Sequence, residues 1–186
     1  MTSRSRVVFL LIFATSLLLI SCGPGTGSHG LKAWYVDSLV KVFPGDAVGA
    51  SQLVPAEFEA ARNQHLNIQI ALRSTASFSS LTASIEPAKD NSGHTIAPSN
   101  ASIRQVGYVV VGSHTPKSPA DEVIGTTPGW YPDALLARPL DLKANRTHSI
   151  WVEIHVPADT APGNYRSAVD ISDGQQTLAQ VPFRLR

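Results

Sequence analysis

The chain has 186 residues, 43% of them apolar, with 15 Lys and Arg against 14 Asp and Glu and a formal charge of +1. That balance excludes the electrostatic footprint of a nucleic-acid binder, or of a protein held to anionic lipid by charge alone. A single cysteine excludes an internal disulfide framework, and the length suits one domain with its own core rather than a sandwich plus a large catalytic barrel.

Arg4 and Arg6 precede a short apolar run, Val7 to Ile20, too brief for a comfortable membrane span of about 20 residues. A basic start, an apolar stretch and a small residue before the cut describe an export signal over residues 1–21. Leu19-Ile20-Ser21-Cys22 resembles the lipobox of bacterial lipoproteins, which implies a diacylated Cys22 as the first mature residue. The leader carries two arginines and no acid, so the remainder sets 13 basic against 14 acidic side chains. The expected location is therefore the bacterial cell envelope, with a membrane as partner through the lipid on Cys22.

Residues 22–30 read as the lipidated cysteine and a Gly-rich tether with an r.m.s. reach of roughly 15 Å. The tether contains a literal G-x-G-x-x-G, Gly25 to Gly30, but the dinucleotide reading needs a strand before it and a helix after it. Here a lipidated cysteine precedes it, and the stretch is a spacer.

Residues 31–186 are expected to form one β-sandwich domain. Leu31 to Phe43 predicts one or two short strands with Trp34, Val36, Leu39, Val40 and Val42 as core residues, ended by Pro44-Gly45-Asp46. An extended run begins at Phe58, and within it Leu66, Ile68, Ile70 and Leu72 alternate cleanly with polar neighbours. Leu81, Ala83 and Ile85 repeat the pattern, and Lys89 to Asn100 is turn-rich. Ile103 to Val111 is a long β-branched strand with Gly107 as a bulge position. Gly112 to Asp141 carries Pro116, Pro119, Pro128, Pro132 and Pro139, which predicts the longest irregular stretch.

Ser149 to Ile171 is the most regular part. Ile150, Val152, Ile154 and Val156 alternate with Trp151, Glu153 and His155, and the period resumes at Tyr165, Ser167, Val169 and Ile171 beyond a turn-rich Pro157 to Asn164. The reading is an antiparallel pair with a long connection. Leu178, Val181, Phe183 and Leu185 form the last strand, which runs to Arg186. About eight strands without alternating helices predict an all-β, antiparallel sandwich of immunoglobulin- or fibronectin-like architecture.

Few residues suggest chemistry. The six histidines show no metal-binding spacing, and His65 and His155 fall at outward strand positions. There is no nucleophile elbow, and no metal or cofactor is expected. Glu57 and Glu59, flanking Phe58, read as the wet face of an edge strand, and Asp121-Glu122 lie in a loop. Trp130, Tyr131 and Asp133 in the long loop either form a sugar-stacking platform with a hydroxyl-binding carboxylate or fold back to cap the sandwich. Tyr165, just after Pro162-Gly163, is expected to anchor a corner through its hydroxyl.

Several stretches occur in a telling order: Trp34 to Pro44, Ala61-Arg62-Asn63-Gln64-His65 with Gln69, Val106-Gly107-Tyr108-Val109, Gly129-Trp130-Tyr131-Pro132-Asp133, Asn145 ahead of Trp151-Val152, and Val156-Pro157-Ala158-Asp159 leading to Pro162-Gly163-Asn164-Tyr165. Together they resemble the N-terminal β-sandwich domain of glycoside hydrolase family 123-type proteins over nearly all of residues 31–186. One departure is that Gln64 and Leu66 stand where the family usually has glutamates. The resemblance implies an enzyme family acting on N-acetylhexosaminides through an Asp–Glu pair, and that pair belongs to a (β/α)8 barrel following the sandwich. No residue here matches the catalytic motif, so no catalytic residue is assigned. The expectation is a non-catalytic, lipid-anchored accessory domain of a truncated or split product, with a barrel lost or acting in trans. The alternative is a stand-alone lipoprotein that binds a glycan or another protein.

Overall fold

The computed structural model describes residues 30–49 and 56–186, so Cys22, the leader and the tether before Gly30 lie outside the described residues. Twelve strands follow in order: β1 (Lys32–Val36), β2 (Ala56–Phe58), β3 (His65–Arg73), β4 (Phe78–Ile85), β5 (Ala88–Lys89), β6 (Thr95–Ile96), β7 (Ala101–Val111), β8 (Gly129–Leu136), β9 (Leu140–Leu142), β10 (Thr147–His155), β11 (Tyr165–Ser172) and β12 (Thr177–Leu185). Two short 3-10 turns, Pro98–Asn100 and Ala120–Glu122, are the only helical segments among the described residues. The first sheet has the order β1-β3-β10-β7-β8, and the second β2-β12-β11-β4-β9 with β5 and β6 joined to it through β11. All the pairings are antiparallel except β12 with β2.

The period-two pattern sets the core. In the first sheet Ile150 stands opposite Ile70, Val152 opposite Ile68 and Ile154 opposite Leu66. In the second sheet Val169 faces Val181 on one side and Ile85 on the other. These inward residues, with Leu72, Leu81, Ile171 and Phe183, make one buried cluster between the layers. Each fully buried aliphatic contributes roughly 1.5–3 kcal/mol, and neither sheet could bury its apolar face without the other. The architecture is the expected all-β sandwich.

Three expectations are corrected. The two regular runs β10 and β11 do not pair with each other: β10 lies between β3 and β7, and β11 between β12 and β4. Alternation fixes which side chains face inward and says nothing about which strand lies alongside. Residues 157–164 supply enough chain to cross the ~10 Å between layers, so the runs meet face to face through the core. The second correction concerns residues 112–141, which contain β8 and β9. Pro132 lies inside β8, and this is tolerated because β8 is an edge strand needing partners on one side only. Third, Leu39 and Val40 are 92% and 53% exposed, whereas Trp34 and Val42 are buried as expected.

Val42 is buried on the outer face of the first sheet. Residues 37–49 lie across that face as a strap that covers Trp34 and Ala71. Polar side chains from the sheet fasten it. Gln69 Nε2 donates to Asp37 O at 3.2 Å and Val40 O at 2.9 Å, and Tyr108 Oη donates to Val42 O at 3.1 Å. Thr147 Oγ1 donates to Asp46 O at 2.6 Å, and Arg73 Nη1 donates to the same carbonyl at 3.0 Å. A strap without secondary structure leaves backbone groups unpaired, and these side chains satisfy them.

The bulge is where the sequence suggests. The β7–β8 register slips between Val106 and Tyr108, and a Cβ on Gly107 would lie 2.8 Å from Leu136 Cδ1. The Tyr165 hydroxyl donates to Ala161 O at 2.7 Å and closes the corner after Pro162-Gly163. At the opposite turn Gln64 Oε1 accepts from Ala61 N at 2.7 Å, a contact that a glutamate carboxylate makes equally well. Leu66, opposite Ile154, packs on the core.

Candidate functional site

The aromatic group Trp130, Tyr131 and Asp133 sits on the edge strand β8 rather than in a loop. Tyr131 is committed to structure: its hydroxyl donates to Ile124 O at 2.9 Å, and its ring meets Phe43 edge-on at 5.3 Å and His114 at 6.3 Å. It thereby ties residues 112–128 to the strap. Trp130 stands opposite Val110, and the two remain 55% and 64% exposed. It borders an open hollow of about 290 Å³ with Phe43, Pro44, Gly45 and Arg146. Asp133 is exposed and does not line that hollow. Side chains alternate along a strand, so Asp133 shares the side of Tyr131 and not that of Trp130.

What this arrangement offers is one indole face beside a guanidinium. That suits stacking on the apolar face of a sugar or a planar group, with Arg146 as a hydrogen-bond donor. Sequence reasoning missed Arg146. Its only signal is its place after Asn145, whose positive φ of 58° marks the turn that brings it to the strap.

A second polar cluster lies on the outer face of the first sheet. Register places His155 directly opposite His65, and their rings stack with centroids 4.8 Å apart. Glu153 Oε1 is 3.4 Å from His65 Nδ1, Asn63 Oδ1 is 3.2 Å from His155 Nε2, and Trp151 Nε1 donates to Asn67 Oδ1 at 3.2 Å. The outward placement of both histidines is as read from the alternation, whereas their contact needs the register. No group of three or more His, Cys, Asp or Glu side chains among the described residues is arranged to hold a metal ion.

The carboxylates singled out in sequence are ion-paired or solvated. Glu57 lies 2.9 Å from Arg184, and Glu59 pairs with Arg186. Asp121 and Glu122 are exposed in the second 3-10 turn.

Two polar groups, His148 buried and Tyr108 half-buried, were not legible beforehand. His148, opposite Leu72, accepts from Lys143 N through Nε2 at 3.0 Å, which puts its proton on Nδ1. Burial, helped by the charges of Lys143 and Arg146 and opposed by Asp141, holds its pKa below the usual 6.5. Tyr108 lies under the strap, and burial with the nearby Asp46 charge pushes its phenol up to about 12. Both are kept neutral near pH 7, Tyr108 beneath the strap and His148 on the inward side of β10 with Leu72.

Comparison with known proteins places this geometry in a family. Residues 47–173 match the model of the glycoside hydrolase 123 N-terminal domain. A family 123 glycoside hydrolase from Clostridium perfringens, whose structural analysis addressed glycolipid glycan hydrolysis, is similar with a TM-score of 0.64 and 18% identity. The match covers 84% of this chain and 26% of that one, so the chain spans about a quarter of that enzyme's length. An alkylpurine DNA glycosylase from Pseudomonas fluorescens gives a TM-score of 0.33 at 15% identity, over 85% of this chain and 31% of that one. A search of curated protein sequences returns no match. The matched span runs from the last residues of the strap to the end of β11 and takes in the edge strand, its bulge and the Tyr165 corner. By that match the chain belongs to the glycoside hydrolase 123 N-terminal domain family.

Proposed function

We propose that this protein is an accessory, non-catalytic β-sandwich that supports a family 123 glycosidase barrel, either fused to it or supplied as a separate chain. The single observation behind the reading is the family match over residues 47–173. It is supported by the fold shared with about a quarter of a longer family 123 enzyme. The lipobox-like Leu19-Ile20-Ser21-Cys22 supports export and lipid attachment at Cys22, which would hold the sandwich at a membrane of the bacterial envelope. Its partners are then that membrane and a glycosidase barrel.

The test is an assay on chromogenic N-acetylhexosaminides with the purified protein alone and with a family 123 barrel protein added. The expected result is no turnover alone, and raised activity or raised thermal stability of the barrel on addition. Turnover by the sandwich alone, surviving purification to homogeneity, overturns the reading. Metabolic labelling with a fatty acid checks the anchor, and Cys22→Ala should abolish the label.

A second reading is carbohydrate contact through β8, favoured by the half-exposed Trp130 beside Phe43 and Arg146. Calorimetry against neutral oligosaccharides, with Trp130→Ala as the variant, decides it. Unchanged binding in the variant removes Trp130 from the contact.

A further inference from the structure

Four charged side chains stand in one line across the outer face of the second sheet. β5, β11, β12 and β2 lie side by side, and their registers place Lys89 opposite Arg166, Arg166 opposite Arg184, and Arg184 opposite Glu57. All four are exposed, while the flanking Tyr165 and Leu185 turn into the core. Arg186, two residues beyond Arg184, adds a fourth cation.

These four cations share two carboxylates. Arg184 Nη1 is 2.9 Å from Glu57 Oε1, and Arg186 bonds Glu59. Lys89 and Arg166 have no side-chain acceptor among the described residues. The neighbouring Asp90 does not supply one: its carboxylate is taken by the His94 ring at 2.7 Å and by the backbone N–H groups of Ser92 and His94. Like charges directly opposite each other on adjacent strands destabilise a sheet. The Lys89–Arg166–Arg184 line therefore works against folding unless an anion spans it.

Beside the line is a hollow of about 330 Å³ that such an anion could enter. Arg166, Arg184 and Arg186 line it with Asn91, Asn164, Glu57 and Glu59. Those two carboxylates are already paired with Arg184 and Arg186, so Arg166 is the lining cation left without a partner carboxylate among the described residues. That volume is at the lower end of small-ligand sites. Guanidinium forks match the planar or tetrahedral oxygens of a carboxylate or a sulfate, and amides suit hydroxyls. A flat acidic protein surface would need neither the hollow nor the amides.

We propose that this hollow binds an acidic sugar, with Arg166 and Arg184 holding its carboxylate or sulfate and Lys89 adding charge beside them. The site lies on a different sheet from Trp130 and stands whether the sandwich supports a barrel or acts alone.

Calorimetry on the purified full chain at physiological ionic strength tests it with three probes. Tetragalacturonate carries carboxylates only, a carrageenan tetrasaccharide carries sulfates only, and a chitin tetrasaccharide is neutral. At least one anionic probe should bind and the neutral one should not, and the stronger of the two identifies the charged group. Arg166→Gln should weaken that binding about tenfold or more. Arg166→Lys should lose less, Lys89→Gln should weaken binding severalfold, and Lys143→Gln, in the turn between β9 and β10, should change nothing. Equal losses in Arg166→Gln and Lys143→Gln would mean diffuse attraction of charge, and the site would be abandoned. Binding of chitin as tight as the anions overturns it too. So does silence from both anionic probes, which would leave the line to an acidic polypeptide. Arg166 makes no contact that folding needs, so Arg166→Gln should melt no lower than the parent, and Lys89→Gln serves if it does.

Discussion

The two sheets present very different outer faces to their surroundings. On the first, the strap of residues 37–49 lies over Trp34, Val42 and Ala71 and is fastened by Gln69, Arg73, Tyr108 and Thr147. On the second, the row from Lys89 to Glu57 is bare. One face uses its polar side chains to satisfy its own backbone, and the other leaves cations unspent. The lesson is that side chains of similar polarity serve stability where something covers them and remain available for a ligand where nothing does. The same distinction separates Tyr131, whose hydroxyl and ring are both engaged, from its neighbour Trp130, which is half-exposed.

The largest effect should come from the layer that both faces share. Ile70→Ala, at a fully buried position opposite Ile150, should destabilise by about 2–5 kcal/mol in denaturant titration. A smaller loss would mean that the two sheets repack around the gap. Gln69→Ala sharpens the contrast directly. It strips the donors from Asp37 O and Val40 O and should cost about 1–3 kcal/mol, with a red shift of tryptophan fluorescence as Trp34 is uncovered. An unchanged melt and spectrum would show that the strap is held by its apolar contacts alone.

His148 tests the interior through pH. Its folded pKa lies below the unfolded value near 6.5, so the unfolded chain binds the proton more readily. The stability this gives is complete above about pH 6.5 and is lost as pH falls through the folded pKa. Thermal melts between about pH 7.5 and 5 should therefore show a shallower acid slope in His148→Gln than in the parent. Parallel slopes would mean that the imidazole is solvated. The smallest effect belongs to the bare face. Glu57→Gln breaks an exposed pair with Arg184 and should shift stability by about 0.5 kcal/mol or less. A larger loss would show that the carboxylate is needed to hold the basic row together.

What the sequence reveals divides along the same line. Period-two alternation identifies β3, β10 and β11 and their inward residues, because burial on one face leaves a local signature. Gly107 and Tyr165 were legible for a similar reason, one lacking a side chain and the other following a Pro-Gly turn. β8 was hidden, because Pro132 argues against a strand and only its edge position excuses it. The placement of β10 and β11 in separate sheets was hidden as well, since both arrangements bury the same residues. The basic row was least visible of all. Glu57 and Glu59 read as a pair along one strand, but their counterparts Arg184 and Arg186 lie on β12 and just past its end, far along the chain. Lys89, Arg166 and Arg184 become neighbours only through register.

The edge position of Pro132 has a further consequence for crowding. An open sheet can template the growth of an ordered aggregate, because a long exposed rim offers a ladder of free donors and acceptors to the next molecule. At the β8 rim, a strand arriving from another copy meets a backbone nitrogen with no hydrogen to give. Among the described residues the outermost strands of the second sheet, β2, β6 and β9, are two or three residues long and too short to guide such pairing. That leaves the five residues of β1 as the rim, among the described residues, where such growth could begin.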